Sequence, residues 1–77
     1  MTKSTRISLV PGSLVLSCPW PVYVYNNLGE RRWLDSDVGI YIGLSHETNS
    51  DLRGWYRVLI PSFSGIYHVH ERDVRAI

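Results

Sequence analysis

The residues best suited to chemistry in this chain are three histidines, one cysteine and a few acids. His68 and His70 stand two apart in the run His68-Val69-His70-Glu71, so on a strand both imidazoles point to one face. His46 is placed to approach them from a loop. Zinc needs three or four converging ligands, and the simpler reading of this pair is an exposed polar strand face. Cys18 is the single cysteine. That excludes an internal disulfide framework and a cysteine zinc cluster, and it makes a reducing, intracellular folding environment the default. As a nucleophile, Cys18 sits between Ser17 and Pro19 with no helix N-terminus to lower its pKa and no positioned histidine. Asp35 and Asp37 fit turn formation, and the glycines are scattered, with no phosphate-cradling loop before a helix. The expectation is no catalytic set, no cofactor, no metal and no enzyme activity.

Residues suited to binding are more plentiful. Three Trp and five Tyr in 77 residues exceed what one small core needs, so some aromatics are expected in contacts beyond the chain. Arg31-Arg32-Trp33 beside Tyr23 and Tyr25 on one hairpin is a composition with which small β domains stack nucleic-acid bases next to cations. Glu30, Asp35 and Asp37 flank the same hairpin, and the net charge is only +1, where nucleic-acid-binding domains are plainly basic. Seven of the eight basic residues are Arg, a bias toward planar, bidentate and stacking contacts. In the run Trp55-Tyr56-Arg57-Val58-Leu59-Ile60, alternation puts Tyr56, Val58 and Ile60 on one face and Trp55, Arg57 and Leu59 on the other, leaving open which of the two is outward. An outward Trp and Leu around an Arg has the composition of an interface centre. The candidate partner-binding residues are therefore Trp55, Arg57 and Leu59, together with Trp20, Tyr23, Tyr25, Arg31, Arg32 and Trp33.

The elements that must position these residues are all strands and turns. After a polar start, Pro11-Gly12 signals a turn and Ser13–Ser17 a first strand. Pro19 and Pro21 forbid helix around Trp20. Val22–Tyr25 is β-branched and aromatic, Asn26-Asn27-Leu28-Gly29 is turn chemistry, and Arg31–Leu34 returns as the second arm of a hairpin. Val38–Leu44 is a strand with Val38, Ile40, Ile42 and Leu44 on one face and Gly39, Tyr41 and Gly43 on the other. The two glycines imply a bend or the close approach of another backbone. Ser45–Gly54 is a polar loop, and strands follow at 55–60 and 66–70 around a tight Pro61–Gly65 connection. Glu71–Val74 fits a single 3₁₀ turn, and 75–77 a last short strand. No helical periodicity is present.

The order of these pieces resembles an SH3-like barrel. The echoes are Pro11-Gly12-Ser13-Leu14-Val15, Gly39-Ile40-Tyr41-Ile42, Trp55-Tyr56-Arg57-Val58-Leu59, Gly65 as the tight turn, and Val69-His70-Glu71-Arg72-Asp73-Val74. In this combination the chain is similar to the small stand-alone SH3-like proteins encoded by bacteriophages. The resemblance implies an all-β domain over residues 11–77, preceded by an extension over 1–10. It further implies a five-stranded barrel with a long hairpin-like first excursion and a 3₁₀ turn before the last strand. In such a barrel Tyr56, Val58 and Ile60 would point inward and Trp55, Arg57 and Leu59 outward, with Val69, Val74 and Ile77 closing the far side. No ALYDY-like run and no Pro-Tyr before the last strand are present, so the resemblance carries the barrel and not a proline-motif ligand. The function it implies is a non-catalytic protein-interaction module, either a virion structural or accessory component or a small factor that binds a host protein. Its partner would be another protein or further copies of itself, with nucleic acid as the alternative and no membrane. The run Ile7–Leu16 is interrupted by Pro11-Gly12-Ser13 and Leu16 is bulky before Ser17-Cys18, so a lipoprotein signal is not expected. The expected location is a host cytoplasm or a virion.

Overall fold

The structure, a computed structural model, describes residues 9–17 and 21–76. Trp20, Cys18 and Ile77, and most of the expected N-terminal extension, lie outside the described residues. Seven strands form: β1 (Leu14–Ser17), β2 (Val22–Tyr25), β3 (Arg31–Leu34), β4 (Asp37–Leu44), β5 (Trp55–Ile60), β6 (Gly65–His70) and β7 (Val74–Ala76). Three single 3₁₀ turns, Ser45–Glu47, Pro61–Phe63 and Glu71–Asp73, connect β4 to β5, β5 to β6 and β6 to β7. The described residues contain no α-helix, so the chain is all-β. No helix among them is long and apolar enough to cross a membrane.

All strand pairs are antiparallel and run in the order β3-β2-β6-β5-β4-β1-β7. The sheet has seven strands instead of the expected five, because both arms of the first excursion join it. It is open, with β3 and β7 as its two edges. The junction that adds the excursion is slight: β2 meets β6 through the single pair Tyr25–His68.

One face of this sheet supplies the core. Tyr56, Val58 and Ile60 alternate inward along β5, and Val69 and Val74 join them in the core. Val15, Val24, Leu34, Tyr41 and Tyr67 complete the cluster. On β4 the buried residues are Gly39, Tyr41 and Gly43, while Ile40, Ile42 and Leu44 are only half-buried. Tyr41 and Tyr56 meet edge to face at 5.4 Å inside the core. The ladder shifts register between Tyr41 and Gly43. This irregularity turns Gly43 toward Arg57 on the outer face, the kind of re-aiming that a β-bulge performs.

The tight turn before β6 departs from the reading that gave it to Gly65. Gly65 already pairs with Ile60 in the ladder. The left-handed residue is Ser64, with φ 55°, which ends the Pro61–Phe63 turn and donates its N–H to the Pro61 carbonyl at 3.0 Å. Serine is one of the small polar residues used in turns, and here it takes the conformation that glycine was expected to supply.

Candidate functional site: an aromatic cleft above β5 and β6

Two connections rise over the outer face of the sheet and leave a cleft of about 650 Å³ between them. The first is the β2–β3 turn. Asn26 governs it: its side-chain oxygen accepts from the N–H groups of Leu28 and Glu30, both at 2.9 Å, and its amide nitrogen donates to the Glu30 carboxylate at 2.8 Å. Gly29 takes φ 78°, which closes the turn. The second wall is the β4–β5 connection, where Thr48 Oγ donates to the Ser45 carbonyl and Asn49 Oδ1 accepts from Asp51 N–H. Asn26, Asn27, Gly29, Thr48, Asn49 and Leu52 line these walls, and Tyr25, Trp55 and His68 line the remainder.

Trp55 is held from two sides. Tyr25 meets it edge to face at 6.0 Å and His70 at 5.1 Å, so its ring has little freedom. His68 is 5% exposed, and both of its ring nitrogens are engaged. Nε2 lies 2.8 Å from Asn27 Oδ1 and Nδ1 lies 2.7 Å from Ser45 Oγ. An amide oxygen only accepts, so Nε2 carries the proton and donates to Asn27; bare Nδ1 accepts from the Ser45 hydroxyl. Burial pushes the His68 imidazole below its ordinary pKa, and the Arg57 charge adds to that. The ring is therefore neutral at neutral pH. The Ser45–His68–Asn27 chain has the order of a nucleophilic relay, but Ser45 is fully buried and its hydroxyl offers no substrate a line of approach. The chain acts as a strut that ties both cleft walls to β6.

The histidine pair expected on one polar strand face is thus divided. His70 is half-buried against Trp55, and His68 is buried because the hairpin folds across it. Among the described residues, no group of three or more His, Cys, Asp or Glu is gathered as a metal ion requires.

Of the candidate binding residues, Tyr25 and Trp55 come together in the cleft. Tyr23, Trp33 and Arg31 form a second group on the same face of the hairpin. Tyr23 and Trp33 meet at 4.9 Å, and the Arg31 guanidinium lies 4.3 Å from the centre of the Tyr23 ring. Arg32 is separated from them. It pairs across from Val24, points to the other face and stacks on Phe63 at 4.2 Å. Neither Arg31 nor Arg32 forms an ion pair among the described residues. Arg57 pairs with Glu47 at 3.1 Å and lies so close over Gly43 that a Cβ there would stand 2.6 Å from its Nη2. Leu59 lies further along β5, beyond Arg57, and Trp20 falls outside the described residues. The wall residues Asn27, Thr48, Asn49 and Leu52, and the buried partner Ser45, were not singled out from the sequence. The Asn26-Asn27 turn was the available signal, but it does not reveal what the turn covers.

No family model, no curated protein and no solved structure matches this chain.

Proposed function

We propose that this chain is a non-catalytic protein-interaction module that holds a segment of a partner protein in the cleft at Tyr25, Trp55 and His68. The observation that carries this reading is the pinned Trp55 beside Tyr25 in a cleft whose lining holds no acid, lysine or arginine. Such a lining suits an apolar side chain on the rings with main-chain amides against the asparagines. Preorganisation by the Ser45–His68–Asn27 strut lowers the ordering cost of binding. The strand order also supports the finer architectural reading. β1, β4, β5, β6 and β7 follow one another as the five strands of an SH3-like barrel do, with β2 and β3 as its excursion and a 3₁₀ turn before the last strand. On that reading, a role as a bacteriophage virion component or host-protein-binding factor follows from the resemblance.

A second reading, nucleic-acid binding, draws on the exposed Arg31–Tyr23–Trp33 group, where a guanidinium with no ion pair among the described residues lies over Tyr23, which in turn meets Trp33. Selection of peptides from a random display library on the immobilised protein, followed by titration of the best peptide and of oligo(dT), separates the two. The cleft reading expects a peptide whose affinity falls about tenfold or more in Trp55→Ala. It fails if selected peptides bind Trp55→Ala as tightly as the native protein. Oligo(dT) binding that falls steeply with salt and disappears in Arg31→Ala would favour the second reading.

A further inference from the structure

The aromatic cleft continues onto the hairpin beyond Tyr25. Tyr25 stands opposite His68 of β6 on one side and opposite Arg31 of β3 on the other, and His68 stands opposite Arg57 of β5. Directly opposite residues share a face, so Arg31, Tyr25, His68 and Arg57 form one row across four adjacent strands on the outer face. At roughly 4.8 Å between strands, the row is about 14 Å long. A cation stands at each end, with the cleft between them.

The two cations differ. Arg57 is paired with Glu47 at 3.1 Å, so its charge is answered within the chain. Arg31 is exposed and has no ion pair among the described residues. Its guanidinium lies 4.3 Å from the centre of the Tyr23 ring, and Trp33 meets that ring at 4.9 Å. Stacking uses the plane of the guanidinium and not its edge, so the N–H groups can meet a carboxylate with two parallel bonds. The neighbouring acid, Glu30, is turned to the hairpin tip, where its carboxylate accepts from the Asn26 amide. On the opposite wall Asp51 and Arg53 carry opposite signs, and neither lines the cleft.

We propose, resting on the peptide reading of the cleft, that the bound segment also carries a carboxylate side chain that pairs with Arg31. The site then takes an acidic, extended peptide. Charge complementarity selects this occupant: the lining is uncharged, one end of the row is already neutralised, and the other presents a single cation. The acidic part of the segment therefore lies over β3. Arg31 is one strand beyond Tyr25, so an acid roughly two or three residues from the apolar anchor reaches it at about 3.3 Å per residue. Nucleic acid is served less well, because a polyanion needs several free cations in line and Arg32 points to the other face.

Display selection on the native protein and on Arg31→Glu tests this. The exchange reverses the charge and keeps one on the edge strand. The native protein is expected to select peptides with Asp or Glu near an aromatic or aliphatic anchor, and Arg31→Glu peptides with Lys or Arg in that place. In titrations, Arg31→Glu should weaken the best acidic peptide about fivefold or more, and exchanging the peptide's acid for Lys should restore binding to the variant. Two results overturn this inference and leave the cleft reading standing: Trp55-dependent peptides without an acid preference, or an acidic peptide that Arg31→Glu binds as tightly as the native protein does. A selection that yields no Trp55-dependent peptide overturns both. Oligo(dT) that displaces the acidic peptide through Arg31, at lower concentration than the unlabelled peptide needs, assigns the guanidinium to phosphate and also overturns the inference.

Discussion

His68 combines burial, a fixed tautomer and a nearby cation, and these make its protonation unfavourable in the folded chain. Its Nε2 proton goes to Asn27, its Nδ1 accepts from Ser45, and the Arg57 charge lies close enough to oppose a second charge. The folded state therefore holds the imidazole below its ordinary value of 6.5. As pH falls, the unfolded chain takes up the proton first, so the unfolded state is favoured. The stability contributed by neutral His68 is complete above its unfolded pKa and is lost as pH falls from there toward the folded value. The native melting temperature should accordingly drop on going from about pH 7.5 to about pH 5.5 more steeply than that of His68→Gln, which has no imidazole to titrate. Thermal melts of both proteins across that range provide the check. Parallel curves would mean that His68 does not couple folding to protons.

At the scale of elements, the β2–β3 hairpin decides whether the cleft exists. Its position was legible in the sequence, since Val22–Tyr25 and Arg31–Leu34 are strands and Asn26–Gly29 is the turn between them. What the hairpin covers was not legible. The bond from His68 to Asn27 joins residues 41 apart in the chain, and strand alternation alone cannot tell a solvated strand face from one beneath a folded-over turn. The buried side of β4 was hidden for a related reason. Its aliphatic residues suggest a core stripe, yet the rings of Tyr41 and Tyr56 fill the interior and leave Ile40 to the outer face. Ser64 was missed because its left-handed backbone depends on tertiary context that a neighbouring glycine masks in the sequence. Within the hairpin, Asn26 accepts two backbone N–H groups that nothing else in the turn satisfies as directly. Asn26→Ala should cost about 1–2 kcal/mol of stability. Urea unfolding would register this as a lower midpoint with an unchanged slope, because a turn defect leaves the surface exposed on unfolding the same. The same variant should weaken any ligand of the cleft, since Asn27 and the hairpin wall lose their fixed position.

For the whole molecule, the open sheet poses a problem that a closed barrel avoids. Among the described residues, β3 and β7 each have one side without a strand neighbour, and such edges invite further strand pairing. Protection then has to come from the residues on the edge strands themselves. On β3 these are Arg31 and Arg32, one on each face, with their guanidinium groups fixed over Tyr23 and Phe63. Two like charges brought against the same pair on another β3 edge would oppose in-register pairing, while the stacking keeps them from folding away. Trp33, which follows Arg32 on the same strand, is 56% exposed and would favour that pairing if the charges were removed. Threonine suits a strand and carries no charge, so Arg31→Thr/Arg32→Thr should retain the native β signal in circular dichroism at low concentration. On concentration or mild heating it should scatter light and bind an amyloid-reporting dye, while the native chain stays dispersed. If the double variant stays as dispersed as the native chain, these arginines do not guard the edge, and their unpaired charge becomes stronger evidence for an anionic ligand.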